Sequence, residues 1–335
     1  MKEKIDKAEV KNILITRTDR LGDVILTLPL ITLARKIFVN AKIYFLTTKY
    51  PGEILEDYEG IDELLTEEEI PYCLNKYEFL QSKNIDLVIS VKPRFDLAFL
   101  FYMLGIKYRI GTAYRWYSFL YNYKVHEHRK TSNKHESDYN LNLLLNFFKE
   151  ETSGKNFYFR YTDESFSGLN IKLKEFNLDL KDRFIILHPG SGKSALDLPV
   201  TKQSELVKLL LNNYTGYKIV FTGLESERNL VEEITKDIHS KDRIIDLAGK
   251  LNLKELLILI DNCKLFISNS TGPIHIAGAL NKNIIGFYPN EKVMSDVRWG
   301  PLSRNAVIIR PPTGSDDLTL ISTNDIASAA GKLLQ

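Results

Sequence analysis

The sequence predicts two doubly wound α/β domains, each carrying a parallel sheet. Three observations point there. Short apolar runs alternate with helical patterns in both halves of the chain, polar glycine-bearing turns follow the apolar runs, and a transition at 151–182 separates the two sets. At 335 residues the chain is long enough for two cores. The expected division is 1–160, 161–320 and a final helical segment, 321–335. In such sheets ligands bind beyond the carboxyl ends of the strands, where these turns fall.

The first half opens with a strand over 12–16 (Asn-Ile-Leu-Ile-Thr), whose unbroken apolar centre suits a strand buried on both faces. A polar loop, Arg17 to Asp23, leads into a helix over 24–37, with Pro29 in its early turns. Further strands are expected at 42–47 and 86–90, the latter followed by the loop Val91-Lys92-Pro93-Arg94, and at 109–111. Leu141, Leu144, Leu145 and Phe148 give 135–149 a helical apolar stripe. The polar 151–155 reads as a linker and 157–161 as an extended segment.

The second half repeats the alternation. Strands are expected at 184–187, 218–221, 244–247, 265–267, 284–287 and 307–309, with helices at 201–213, 226–238 and 252–262. Residues Ser268 to Gly272 are small or polar, as in a turn and helix cap, and Pro273 suits the first position of a helix over 274–280. Ser322 caps a last helix over 325–334.

Composition narrows the function. The 44% apolar fraction is that of a globular chain, and a net charge of +2 gives no reason to expect nucleic acid. Cys73 and Cys263 are far apart and form no CxxC pair, so neither a disulfide framework nor a metal site is expected. The charged start has no signal-peptide apolar region and no run of 18 apolar residues occurs, so a cytoplasmic location is expected, compatible with a membrane surface.

Residues Gly190-Ser191-Gly192-Lys193-Ser194-Ala195 match a dinucleotide G-x-G-x-x-A and echo a P-loop Gly-Lys-Ser. Leu187 stands where a P-loop requires glycine, and Pro199 crowds the helix that either motif needs. What survives is a glycine-rich loop after a strand, with His188-Pro189 at its mouth, set either to contact a diphosphate or simply to turn the chain. Asp23 reads either as a helix N-cap or as a general base accepting a hydroxyl proton. Arg17, Asp19, Arg20 and Gly22 share its loop, and with Lys92 and Arg94 they either bind an anionic acceptor or are solvated. Beyond another strand, Thr222-Gly223-Leu224-Glu225-Ser226-Glu227 offers carboxylates either to a ribose or to a helix dipole. Ser270, Thr271, Gly272 and Pro273 feed a helix N-terminus, a natural anion site, and His275 lies on its first turn, beside a ligand or capping its own helix. Trp299, in Arg298-Trp299-Gly300-Pro301, either walls a pocket or fills core. Residues 107–134 hold seven Lys or Arg, five Tyr and Trp116 against the single acid Glu127. Such a segment can meet a lipid headgroup surface or an anionic glycolipid, or form a solvated face.

Five of these segments, in order, resemble glycosyltransferase family 9, the heptosyltransferases of lipopolysaccharide core assembly. They are Ile13-Leu14-Ile15 through Arg20-Leu21-Gly22-Asp23-Val24 with Thr27-Leu28-Pro29; Leu187-His188-Pro189-Gly190-Ser191; Phe221-Thr222-Gly223 with Glu227; Asp246-Leu247-Ala248-Gly249; and Ser268-Asn269-Ser270-Thr271-Gly272-Pro273-Ile274-His275-Ile276-Ala277. The resemblance implies a GT-B fold, two facing Rossmann-like domains with an interdomain cleft, the acceptor on the first and a nucleotide-sugar donor on the second. The last helix is then expected to return to the first domain. It implies inverting transfer without metal or cofactor, with Asp23 as base. The donor, ADP-heptose by family default, would be held by His188, Gly190, Ser191, Gly192, Lys193, Thr222, Gly223, Glu225, Glu227, Ser270, Thr271, Gly272, Pro273 and His275. The acceptor would be an anionic lipopolysaccharide or lipooligosaccharide core at the cytoplasmic face of the inner membrane. Two departures bear on the donor. The lysine that many members carry before a Trp-Pro is replaced in Ala195-Leu196-Asp197-Leu198-Pro199, leaving Lys193 as a substitute, and Ser270 stands where many have aspartate. Rival readings are a nucleotide-sugar-binding protein without transfer, a member using another nucleotide sugar, and a dinucleotide oxidoreductase.

Overall fold

The computed structural model describes residues 4–70, 74–152, 154–192 and 195–335. Lys193, an expected donor residue, and Cys73 lie outside them. The chain forms two compact units, Met1–Arg160 and Tyr161–Gln335.

In the first unit six strands form one sheet: β1 (Asn12–Thr16), β2 (Lys42–Thr47), β3 (Glu63–Thr66), β4 (Leu87–Ser90), β5 (Tyr108–Thr112) and β6 (Tyr123–Val125). Their order is β3-β2-β1-β4-β5-β6, with every neighbour parallel. The second unit repeats the plan with β7 (Phe184–His188), β8 (Lys218–Phe221), β9 (Ile244–Asp246), β10 (Leu265–Asn269), β11 (Ile284–Phe287) and β12 (Ala306–Ile309). Its order, β12-β11-β10-β7-β8-β9, is again parallel throughout. Both are Rossmann-like sheets whose connections reverse direction once, between β1 and β4 and between β10 and β7. There the strand ends sit side by side, Thr16 against Ser90 and Ser268 against His188.

Local chemistry explains where expectation and structure differ. The helix expected over 24–37 is two helices, Leu21–Ile25 and Leu28–Ile37. Pro29 has no N–H to return to the Ile25 carbonyl, so the ladder breaks at Leu26-Thr27 and restarts with proline in its first turn. The helix expected over 274–280 starts two residues earlier, running Gly272–Ala279. The stretch read as a transition contains the helix Asp163–Lys174, capped by Thr162 and tied to the helix Leu253–Asn262 through Lys172 and Glu255 at 2.7 Å.

The last helix, Thr323–Leu333, packs within the second unit. Ile326, Ala329 and Ala330 are buried in the core that also holds Leu206, Leu210, Ile219 and Phe287. Its apolar face lies in the core of its own unit. Cys263 is a buried thiol whose burial pushes its pKa up to about 12. Replacing Ile326, fully buried in that core, with alanine should destabilise the protein by about 2–5 kcal/mol in urea unfolding.

Candidate active site

The reversal in the first sheet places two loops side by side, Arg17–Arg20 after β1 and Val91–Arg94 after β4. Arg17 is almost fully buried, and its guanidinium is shared by three carboxylates. Nε donates to Asp19 at 2.7 Å, Nη1 to Glu136 at 3.2 Å, and Nη2 to Asp23. Glu136, 2% exposed, also accepts from Arg129 at 2.6 Å. It lies on the first turn of the helix Glu136–Leu145, which packs against Leu28–Ile37.

Asp23 is held at both ends. Its carbonyl accepts from the Thr27 hydroxyl at 2.9 Å, and that oxygen accepts from Asn140 Nδ2 at 3.2 Å. Asn140 Nδ2 also donates to the Leu26 carbonyl at 3.1 Å, while its Oδ1 accepts from Arg129 at 3.0 Å. Through Glu136 and Arg17 the chain of bonds returns to the Asp23 carboxylate, closing a ring. Where the ladder restarts, Leu30 N bonds the Thr27 carbonyl at 2.9 Å, which leaves the Leu26 carbonyl to Asn140.

Arg20, not Asp23, occupies the cap position of Leu21–Ile25. The Asp23 carboxylate is thus engaged by Arg17 rather than by the helix end, which removes the bare N-cap reading. Burial raises its pKa above the ordinary 3.8; Arg17 pulls it back, and Asp19 and Glu136 push it further up. Arg17 itself is held firmly protonated by its carboxylates. Among the other expected acceptor residues, Gly22 is buried in this helix, Arg20 is exposed, and Lys92 is half exposed at 3.4 Å from Asp19. Arg94 donates to Glu67 at 2.6 Å, to Asp96 at 2.5 Å and to the Thr18 hydroxyl at 3.2 Å, so it braces the loop.

In the second unit the reversal sets the loop after β7 beside the turn after β10. His188 ends β7, buried, with Nδ1 2.9 Å from the Thr222 hydroxyl, and burial lowers its pKa to about 4. It therefore offers a neutral ring rather than a charge. Glu227 accepts from Gly192 N at 3.2 Å and from Leu224 N at 2.8 Å, stitching the loops after β7 and β8 together. A Cβ at Gly190 would stand 2.0 Å from Glu227 Oε1, so any larger residue there would displace the Glu227 carboxylate. Glu225 is exposed and paired with Arg228 at 3.1 Å. Gly249, at φ +70°, leaves room for Glu225 and donates to the Gly223 carbonyl at 2.9 Å, which explains the Asp-Leu-Ala-Gly segment.

Ser270, Thr271 and Gly272 form the turn into Gly272–Ala279. Thr271, buried, lies 3.0 Å from the Ser268 hydroxyl, and Ser270 is half buried and interacts with the Tyr288 phenol. His275 is buried in the first turn of this eight-residue helix. Pro273 is buried beside it. Backbone N–H groups at this N-terminus and in the glycine loop lie at the carboxyl ends of adjacent strands, an arrangement suited to an anion. Trp299 is half buried; its indole donates to the Val293 carbonyl at 2.9 Å and Arg298 lies over its ring.

The sequence profile of glycosyltransferase family 9 (heptosyltransferase) matches residues 76–319. The chain belongs to glycosyltransferase family 9. It is 27% identical to a putative glycosyltransferase of Haemophilus influenzae, over 94% of each chain. It is 26% identical to lipopolysaccharide heptosyltransferase 3 of Escherichia coli K12, over 93% of this chain and 95% of that one. Its fold matches the E. coli ADP-heptose lipopolysaccharide heptosyltransferase II with a TM-score of 0.82 at 21% identity, covering 97% and 98% of the two chains. The family 9 chain is a glycosyltransferase with the two Rossmann-like units of the GT-B fold, and the oxidoreductase reading falls.

Several residues of this family 9 site are not apparent from the linear sequence. Glu136 and Asn140 reach Arg17 and the Leu26 carbonyl only through helix packing across more than a hundred residues, and Arg129 joins the two at 2.6 Å and 3.0 Å. Asn269 donates to the Pro189 carbonyl at 2.7 Å and to Asp197 at 3.1 Å and accepts from Leu198 N at 3.0 Å, and Gln203 donates to the Leu198 carbonyl at 2.7 Å. Burial raises the pKa of Asp197. Only the position of Asn269 at a strand end could have suggested it.

Two outcomes are expected. Ionised Asp23 should be needed for transfer, so the acid limb of kcat/KM should lie above pH 3.8. Glu136→Gln removes a like charge from its surroundings, so the limb should move to lower pH. Gly190→Ala should raise the donor KM about tenfold or more while the melting temperature changes little, because the displaced Glu227 unstitches the loop.

Proposed function

We propose that this enzyme transfers a heptose, with inversion, from a nucleoside-diphosphate donor such as ADP-heptose to a lipopolysaccharide or lipooligosaccharide core. The observation that carries the reading is the Asp23 carboxylate, raised in pKa by burial yet fixed by Arg17 and the Thr27–Asn140 ring. An acceptor hydroxyl gives its proton to Asp23 while its oxygen attacks the anomeric carbon from the face opposite the diphosphate. The bond from that carbon to the diphosphate oxygen breaks, and the electron pair leaves on phosphate. The negative charge that develops there suits the amides of Gly190–Gly192 and of the Gly272–Ala279 N-terminus, with the Ser270 and Thr271 hydroxyls. His188, neutral at physiological pH, would serve as a hydrogen-bonding wall, and Glu225 or Glu227 would face the nucleoside end. The exposed Arg20 and half-exposed Lys92 suit an anionic core acceptor, and the reaction would take place at the cytoplasmic face of the inner membrane. No helix among the described residues is long and apolar enough to cross a membrane.

One observation favours another nucleotide sugar in the same mechanism. Ser270 removes a carboxylate from the turn, while Asp197 brings one to Asn269, the neighbour of Ser270.

The test is transfer from a panel of ADP-, GDP-, UDP- and CDP-sugars to purified truncated core, read by mass spectrometry. Transfer from ADP-heptose is expected, and Asp23→Asn should lower kcat about 10²–10⁴-fold while a thermal-shift assay still reports donor binding. Donor binding without transfer to any core would favour the binding-protein reading.

A further inference from the structure

Apart from Asp96 in its first turn, the helix Phe95–Met103 is apolar on every side. Leu97, Ala98 and Phe101 face the first unit's core, whereas Phe95, Phe99, Tyr102 and Met103 point outward and stay exposed. Such a helix is ordinarily buried all round. The loop after β5 extends the outward face. Trp116, 74% exposed, stacks on Phe95 with ring centroids 4.8 Å apart, Phe99 stacks on Phe95 at 5.9 Å, and Phe119 is 67% exposed nearby in the chain. These large side chains form a preassembled aromatic surface, and a contiguous exposed apolar patch marks a contact site.

Charge says which contact. The chain as a whole is nearly balanced, at +2, yet 107–134 carries seven Lys or Arg against Glu127, and Glu127 is already bonded to Lys134. Arg115 is exposed beside Trp116, and the Arg109 guanidinium lies 5.5 Å from the Tyr102 ring. The acid on the helix itself, Asp96, is neutralised by Arg94. Lys107, Arg129 and Lys134 are paired with Glu9, Glu136 and Glu127, so Arg109 and Arg115 are the cations set beside the aromatic side chains, a combination that suits the boundary between anionic headgroups and acyl chains. The patch also begins where the reaction would need it. The helix starts from the carboxyl end of β4, and Arg94, at its cap, donates to Thr18 in the loop that carries Arg17 and Asp19.

We propose that Phe95, Phe99, Tyr102, Met103, Trp116 and Phe119 insert into the surface of an anionic phospholipid bilayer, with Arg115 and its basic neighbours on the headgroups. This deepens the reading above and rests on it only for the identity of the acceptor so delivered. The experiment uses the full chain and phospholipid vesicles that contain neither donor nor acceptor, so its failure is separable from failure of the transfer assay.

The chain should sediment with phosphatidylglycerol–phosphatidylethanolamine vesicles and not with pure phosphatidylcholine. Trp116→Ala and Phe99→Ser, on separate elements, should each weaken the partition about tenfold or more. Arg115→Glu should weaken it and reduce its salt dependence. In a Trp299→Phe background Trp116 is the sole indole, and its emission should shift to the blue on adding anionic vesicles. The proposal is overturned if anionic and zwitterionic vesicles bind alike, if neither patch variant alters binding, or if the wild type is a dimer in sedimentation velocity that both variants convert to monomer.

Discussion

The first unit's site depends on one guanidinium divided among three carboxylates. Burying Arg17 costs several kcal/mol unless its donors are matched, and here Asp19, Asp23 and Glu136 supply the match. The division also has chemical consequences. A carboxylate with sole possession of a buried arginine would become a very weak acid–base group, its pKa driven down. Shared among three, and with two like charges close by, Arg17 orients Asp23 without suppressing its basicity. Orientation and basicity usually oppose one another in an ion pair, and the extra acids relax that opposition.

The second unit solves a different problem with the opposite means. The leaving diphosphate of the proposed transfer needs positive potential, yet His188 is kept neutral by burial and Glu227 brings a carboxylate. Positive potential can come from oriented N–H groups, and the side chains around them serve to fix loops. Glu227 spans two loops, Asn269 and Gln203 hold the Pro189–Leu198 turn, and Gly190 permits the close approach on which the stitching depends. Fixed dipoles need no reorganisation when charge appears, which is what a departing diphosphate requires.

This distribution explains what could be read from the sequence. Buried parallel strands declare themselves as apolar runs, so ten of the twelve strands and the polar turns after them are visible. The edge strands Glu63–Thr66 and Tyr123–Val125 are short and carry polar residues, and they blend into the loops around them. The helix Phe95–Met103 has no polar face and hence no helical period to detect. Site residues in glycine-bearing turns are legible because turn chemistry is local. Glu136, Asn140, Gln203 and Asn269 act through tertiary packing, and their polar side chains look like surface residues until the fold places them. Pro29 was visible, but the break in the helix at Leu26-Thr27, where Asn140 binds the Leu26 carbonyl, was not.

The two unusual features of the first unit meet at Arg94. Its guanidinium ties β3's following acid Glu67, the Thr18 hydroxyl and Asp96 to one point, at the start of the helix that carries the aromatic patch. Tilting this helix outward would pull Arg94 from its ion pair with Glu67 and from its hydrogen bond to Thr18 in the loop that bears Arg17. The apolar face and the buried carboxylates are therefore parts of one rigid arrangement within the unit. If the outer face meets a bilayer, the Arg17–Asp23 loop is held at a fixed distance from the headgroups. The lipid-anchored acceptor proposed above would be confined to that same plane, so its search for Asp23 would lose a dimension.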